Sequence, residues 1–249
     1  MDGVDETYRN YKKLEKNFKR FKNIKFIFHK KNIGSLKNFY FLRDACKTKY
    51  FMWLADDDVI KIETINKLYE LLSKNKHACT AVPYWELHNG KKKKLIEPFF
   101  FDSNSTTLRV IKYLYENDDA FFYGLHKIKY LKNCKFQSYF WPNTNVLSNW
   151  CYVFQMDLIL QGKILFLNNK KYRWINNDYG IKYYDKGSKN IFFKSFAYLL
   201  RKINIYLYYM VKFIKWKKIN IFLIVLIIFP LFLIRDLTVR EPAYQKVQF

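Results

Sequence analysis

The chain has 249 residues, half of them hydrophobic and a fifth aromatic, which suffices for one substantial core or two small ones and excludes whole-chain disorder. Its 7 Gly and 5 Pro exclude a collagen-like repeat, and 4 Cys, at Cys46, Cys79, Cys134 and Cys151, have neither disulfide-scaffold nor metal-knuckle spacing, so reduced thiols in a cytosolic compartment are expected. The net charge of +24 would attract nucleic acid, an acidic membrane or nucleotide phosphates, but Lys, Asn, Ile, Phe and Tyr all have AT-rich codons, and charge alone assigns no function.

Met1 is followed by the polar run Asp2 to Thr7 and no apolar signal region, so export is not expected. From Glu6 to Phe21, Tyr8, Tyr11, Leu14, Phe18 and Phe21 recur at spacings of three or four, which predicts an amphipathic helix. Alternation over Ile24–Phe28 predicts a strand. A second helix is expected from Ser35 to Cys46, then an apolar strand Tyr50–Leu54 that runs into Asp56, Asp57 and Asp58. A third helix carries Ile62, Ile65, Leu68, Leu71 and Leu72 on one side and leads to a strand near Ala78–Val82. This alternation predicts an α/β fold with a mainly parallel sheet flanked by helices.

Residues 84–131 are less regular, with Lys91–Lys94 expected at a hairpin tip or loop. The aromatic residues Tyr113, Tyr115, Phe121, Phe122 and Tyr123 fit a core better than a sugar platform. A helix is expected from Asn145 to Leu160, closed by Gly162, and a last strand over Lys163–Leu167. From about Ile191 the composition turns to basic, aromatic and aliphatic stretches, which predicts a helical hydrophobic extension over 191–249 after a domain of residues 1–190. Ile219–Ile234 holds 16 uncharged residues, interrupted by Asn220 and Pro230. As a helix it reaches about 24 Å, short of the roughly 30 Å hydrocarbon core of a bilayer. Three placements stay open for it: interfacial or re-entrant binding to an anionic membrane, a true span, or a buried core helix.

Chemistry concentrates in Trp53-Leu54-Ala55-Asp56-Asp57-Asp58. Carboxylates at the carboxyl end of a strand sit where open α/β sheets bind ligands. Three in a row repel one another until a hard divalent cation, Mn²⁺ or Mg²⁺, relieves the repulsion, and that cation can hold a diphosphate. An aspartate here can instead cap the helix that begins near Lys61, but capping accounts for one carboxylate, not three. Upstream, Asn32-Ile33-Gly34-Ser35-Leu36-Lys37-Asn38-Phe39 predicts a turn at a helix start whose N–H groups, with Lys37, face an anion.

The run Asn32–Asp58, as N-x-G-x-x-x-N-F followed by Y-x-x-W-L-x-D-D-D, resembles the nucleotide-sugar-binding half of the family 2 glycosyltransferases, of the GT-A fold, and most of all their abequosyltransferase-like branch. Asp2–Thr7 resembles that family's D-G-S-x-D-x-T turn, one residue shorter and with Val4 in place of Ser, and Phe122–Leu125 its Y-G-L segment. The likeness covers about residues 2–170 and implies a Rossmann-like sheet and transfer of a sugar from a nucleotide-diphosphate donor. The implied acceptor is a lipid-linked glycan or surface polysaccharide, met at the cytoplasmic face of a membrane by a peripheral or monotopic protein, with a single span as the alternative. By the same resemblance, Asp58 and Asp56 form the D-x-D pair, Asp58 on the metal and Asp56 nearer the ribose or metal-bound water, with Asp57 open between the two roles. Asp2 would lie by the base, Asn32, Gly34 and Asn38 at the donor, and Lys37 near the phosphates or simply in solvent.

Two departures accompany the likeness. The family's usual first strand, V-S-V-I-I-P-x-Y-N, has no counterpart, which implies an N-terminal truncation or an incomplete base pocket. Its catalytic base, an acid followed by Trp at the start of the helix ending in L-x-x-G, falls on Asn149-Trp150, and an amide cannot accept the acceptor's proton. Asp118 and Asp119 are the alternatives; Asp157 lies about two turns further along the helix and projects elsewhere. A catalytically inactive, transferase-like binding protein is therefore the second reading. His29, His77, His88 and His126 have no metal-ligand spacing, His29 is expected to be exposed, and no nucleic-acid-binding motif is present, so nucleic acid is not an expected partner.

Overall fold

A computed structural model of the chain describes residues 2–54, 58–89, 92–96, 101–116, 120–134, 139–140, 147–148, 150–175, 203 and 205–238. They belong to two compact units, Met1–Asn38 and Phe39–Phe249.

In the first unit, helix α1 (Asp2–Phe18) starts earlier and stops sooner than the apolar spacing suggests. The residues Asp2–Thr7, expected as a turn, are its opening turns, where early acidic residues suit the helix dipole. After Phe18 the chain leaves the helix through turns in which Phe21 N donates to Phe18 O (2.9 Å) and Ile24 N to Phe21 O (3.1 Å). Residues 24–28 form no strand, contrary to their alternation. Period-two patterning makes a segment extended, with Phe26 and Phe28 stacked on one side at 6.4 Å, but a strand also needs a partner edge for its ladder. Helix α2 (Ser35–Ala45) begins in this unit and ends in the next.

The second unit is an α/β assembly around one sheet. Its strands are β1 (Tyr50–Phe51), β2 (Val59–Ile60), β3 (Ala78–Asn89), β4 (Lys92–Ile96), β5 (Leu125–Lys127) and β8 (Lys163–Ile175), while β6 (Tyr139–Phe140) and β7 (Leu147–Ser148) pair separately. The order across the main sheet is β1-β5-β3-β8-β2, with β4 added as a hairpin partner of β3. The α/β class is as the sequence predicts, but the sheet is mixed rather than mainly parallel. Only β3 and β8 run parallel among the described strands, while β1–β5, β3–β5, β3–β4 and β2–β8 are antiparallel. The reason is topological: β4 returns directly on β3 as a hairpin, and β5 enters between β1 and β3 against both directions.

β3 is the central strand, and Ala78 through Val82 are all buried, as a strand covered on both faces requires. It is longer than its apolar stretch because the polar half of β8 pairs alongside it as far as His88↔Ile175. The lysines expected at a loop, Lys92–Lys94, lie in β4. Helix α3 (Ile62–Lys74) covers one face, where Leu68 and Leu72 pack with Ala78, Ala81 and Leu125. At its end Lys127 Nζ donates to Asn75 O at 2.6 Å.

On the other face lie α4 (Thr106–Glu116), the 3₁₀ turn Ala120–Tyr123, the single turn α5 (Ile128–Leu131) beside it in sequence, and α6 (Trp150–Gln161). Phe101, Tyr113, Phe121, Phe122, Phe154 and Ile159 are buried, so this part of the aromatic series is core as expected, while Tyr115 is exposed. Helix α6 starts at Trp150 rather than Asn145 because Leu147–Ser148 pairs with Tyr139–Phe140. Arg109 closes its far end, donating Nε and Nη2 to Ile159 O at 3.1 and 3.0 Å.

Two further helices, 205–215 and Ile219–Thr238, complete the unit. Tyr209 meets Tyr113 of α4 at 6.4 Å, Tyr206 meets Phe229 at 4.5 Å, and Ile221 and Val225 are buried. Among the described residues no helix is long and apolar enough to cross a membrane.

Candidate functional site

The chain ahead of the acidic run is held by an aromatic anchor at Trp53. β1 pairs with β5 in the register Tyr50↔Lys127 and Phe51↔His126, and since Tyr50 and Met52 pack against Leu68 and Leu72 of α3, the alternate residues Phe51 and Trp53 turn to the other face. Trp53 is 4% exposed, stacked on Phe122 with centroids 4.6 Å apart and edge-on to Phe39, Phe51 and Phe154 at 5.0, 4.7 and 5.4 Å. Rings in such offset and edge-on arrangements hold one another beyond their burial alone. The chain after Trp53 is thereby fixed at its start.

Beneath Trp53 lies His126, which the sequence analysis passed over. It is fully buried; Nε2 lies 2.9 Å from Phe122 O and Nδ1 2.9 Å from Thr80 Oγ1. A carbonyl only accepts, so Nε2 carries the proton and donates, and the Thr80 hydroxyl donates to Nδ1. Burial lowers the imidazole from its ordinary 6.5 to about 4, and it stays neutral at physiological pH. Its spacing from other histidines carries no signal; only the cross-strand register Thr80↔His126 reveals its place.

β1 and β2, on either side of the acidic run in sequence, lie at opposite edges of the sheet. Asp56 and Asp57 lie outside the described residues. Asp58 is 8% exposed and stands immediately before β2, whose Val59 and Ile60 pair with Arg173 and Tyr172 of β8. The N-cap of α3 is Lys61, with no side-chain cap, so Asp58 does not occupy the capping position. A carboxylate oxygen is a donor of the hard type that Mg²⁺ or Mn²⁺ takes. Among the described residues no three His, Cys, Asp or Glu side chains gather as a metal set.

The Asn-x-Gly turn forms in the first unit. Asn32 Oδ1 accepts the Gly34 N–H at 2.8 Å, Gly34 adopts φ of 79°, and its carbonyl accepts the Asn38 N–H at 3.1 Å, opening α2. The left-handed φ is what calls for glycine there. Asn32, Gly34 and Asn38 line a depression of about 300 Å³ together with His29, Lys31 and Ile33. Asn38 Oδ1 lies 3.3 Å from His29 Nε2, and both side chains are exposed. Lys37 is exposed and does not line the depression; Lys31, which the sequence analysis did not single out, does. Asp2 lies in the first turn of α1.

The three base candidates, Asp118, Asp119 and Asn149, lie outside the described residues. Asp157 is buried within α6 and engaged by Lys212 at 2.5 Å. The glycine of the Y-G-L segment has a packing role: a Cβ at Gly124 would stand 2.7 Å from Thr80 Cγ2 and 2.8 Å from Ala81 O, so β5 approaches β3 closely only because the side chain is missing. Cys79 is buried, and desolvation raises its thiol to about 12, which leaves it inert.

No curated protein matches the chain. A family model described as Glycosyl transferase family 2 matches residues 2–140, more than half of the chain. That stretch includes the Asn32–Gly34 turn, the Trp53 anchor and the acidic run Asp56–Asp58, and by this match the chain belongs to glycosyl transferase family 2.

Proposed function

We propose that the chain transfers a sugar from a nucleotide-diphosphate donor to a lipid-linked or surface-polysaccharide acceptor, assisted by Mn²⁺ or Mg²⁺, at the cytoplasmic face of a membrane. The observation that supports this reading most is Asp58: a buried carboxylate beyond a rigid aromatic anchor, away from the capping position of α3, in the stretch matched to the family. In this reading residues 1–190 carry the chemistry, and the resemblance to the abequosyltransferase-like branch favours the surface-polysaccharide acceptor. Asp58 and Asp56 hold the cation, with Asp57 open to either role, and the bound cation supplies positive charge beside the leaving diphosphate. Asn32, Gly34, Lys37 and Asn38 serve the donor phosphates, and Asp2 the base.

The acceptor hydroxyl must lose a proton as it attacks the anomeric carbon. Asp118 and Asp119 are the carboxylates assigned to this step, since Asn149 carries an amide and Asp157 is engaged by Lys212. The second reading, a transferase-like binding protein without turnover, follows from Asn149.

Calorimetric titration with UDP, CDP, GDP and dTDP, each with and without Mn²⁺, tests the reading against an Asp58→Ala control. Metal-dependent binding of one nucleotide, lost in Asp58→Ala, is expected. Slow hydrolysis of the matching nucleotide sugar, lost in Asp118→Asn or Asp119→Asn, supports the enzyme; binding without any turnover selects the second reading. A folded protein that binds none of the four nucleotides overturns both.

A further inference from the structure

The described C-terminal helices carry a surface that the sugar-transfer reading does not use. On Ile219–Thr238, Ile221 and Val225 face the interior, while Ile219, Leu223, Leu226, Ile227, Leu231 and Ile234 are exposed, Ile227 at 75% and Leu231 at 65%. Apart from the neighbours Leu226 and Ile227, these positions recur at three and four residues, so they form one mostly aliphatic stripe along about 22 Å of helix, with Asn220 as its exposed polar residue. The 205–215 helix has its own exposed aliphatic series, Leu207, Val211 and Ile214, while Tyr206, Tyr209, Lys212 and Phe213 are buried. These helices are apolar on their exposed as well as their buried sides, unlike the ordinary surface helix, which turns a polar side outward.

We propose that these paired helices seat the protein on an anionic lipid surface, lying along it rather than across it. Two observations select lipid over a second protein. First, the large hydrophobic side chains exposed on these helices are all Leu, Ile or Val, with the rings of Tyr206, Tyr209 and Phe213 buried, whereas the cores of protein interfaces are enriched in aromatic residues, Met and Arg. Second, the charge is one-sided: no Asp or Glu occurs between Asp185 and Asp236, and the turn joining the helices carries Lys217, exposed, and Lys218. Aliphatic side chains flanked by cations match the acyl boundary and headgroups of an anionic leaflet.

The uncharged stretch is too short to span, and the mode of attachment is therefore in-plane. The buried Lys212–Asp157 pair and the Tyr113–Tyr209 contact fasten these helices to α6 and α4, so the α/β unit is held against the lipid at a fixed angle rather than on a tether. This inference rests on the membrane placement in the proposed function but needs no donor site, so failure of nucleotide binding leaves it unaffected.

The test uses the full chain, floated with vesicles of phosphatidylcholine alone and of phosphatidylcholine mixed with phosphatidylglycerol. Binding to the mixed vesicles is expected, reduced at least about tenfold in the triple variant Leu223→Asn, Ile227→Asn, Leu231→Asn. Lys217→Glu with Lys218→Glu should weaken binding to the mixed vesicles only. As a check independent of the triple variant's folding, brominated lipid should quench the fluorescence lost in Trp216→Phe, since Trp216 lies at the turn between the helices. The proposal is overturned if the wild-type chain stays with neither vesicle, if the triple variant folds and still binds equally, or if Trp216 is not quenched. It is also overturned by a discrete dimer in lipid-free solution that the triple variant disperses without any vesicle binding, because the stripe would then be a contact between copies.

Discussion

Lys212 Nζ lies 2.5 Å from Asp157 Oδ2, and the two side chains are 6% and 0% exposed, so a cation from the 205–215 helix neutralises a carboxylate deep in α6. Removing one partner leaves a charge buried without its counter-ion. Asp157→Asn or Lys212→Met is expected to cost about 3–5 kcal/mol, while the double change Asp157→Leu with Lys212→Met recovers most of that loss. Urea unfolding of the four proteins measures it. Truncation before residue 191 removes Lys212 as well and is expected to give a poorly folded chain.

His126 makes stability depend on pH in a defined window. Its folded value of about 4 is below the ordinary 6.5, so between these the unfolded chain takes up a proton that the native state refuses. The contribution is present in full above 6.5, is lost as pH falls toward 4, and changes no further below that. The groups around the ring, Trp53, Phe122, Phe154 and Thr80, carry no charge that would offset it. The loss amounts to about 3 kcal/mol, measured as the difference in pH slope between the wild-type chain and His126→Gln. Equal slopes would contradict the assignment. Thr80→Val should cost about 1–3 kcal/mol at neutral pH by leaving Nδ1 without its donor.

Two glycines answer alanine differently. At Gly124 an added Cβ meets Ala81 O at 2.8 Å, a backbone atom that cannot move without disturbing β3, and Gly124→Ala is expected to cost about 1–3 kcal/mol. At Gly34 there is open space, but φ is +79°, and Gly34→Ala should cost about 1 kcal/mol through backbone strain alone. In the first case β5 loses its fit to β3; in the second only the start of α2 is disturbed. Urea midpoints distinguish the sizes, and hydrogen exchange of β3 and β5 distinguishes the places.

Lys217 occupies a position that favours glycine. Its φ is 54°, its N–H donates to Ile214 O at 2.9 Å, and the Lys218 N–H reaches Phe213 O at 2.7 Å, the hydrogen-bond pair of a Schellman helix ending. Lys217→Gly is expected to stabilise the chain by up to about 1 kcal/mol while lowering affinity for anionic vesicles, since the same residue supplies charge at the turn. Opposite signs in the urea midpoint and the flotation assay are the result to look for.

Local patterns sufficed for α2, α3 and the last helix, because three- and four-residue spacing and a stop at Gly162 or an Asn-x-Gly turn act within a few residues of chain. They sufficed also for the α/β class and for singling out the acidic run and the Asn32–Gly34 turn, whose residue types are costly anywhere but at a site or a bend. Sheet direction, the early end of β1, the failure of Ile24–Phe28 to become a strand and the late start of α6 each depend on which edge offers hydrogen bonds. No single segment carries that information. The same holds for His126 with Thr80 and for Asp157 with Lys212, pairs brought together by β5 and by the C-terminal helices across 46 and 55 residues of chain. Sequence alone therefore determined the chemistry available to this protein, through residue type and short-range spacing. Only the tertiary structure decided which of its charged and titratable groups are engaged in holding the fold and which aliphatic faces are left outward, because burial and pairing are properties of the packed chain.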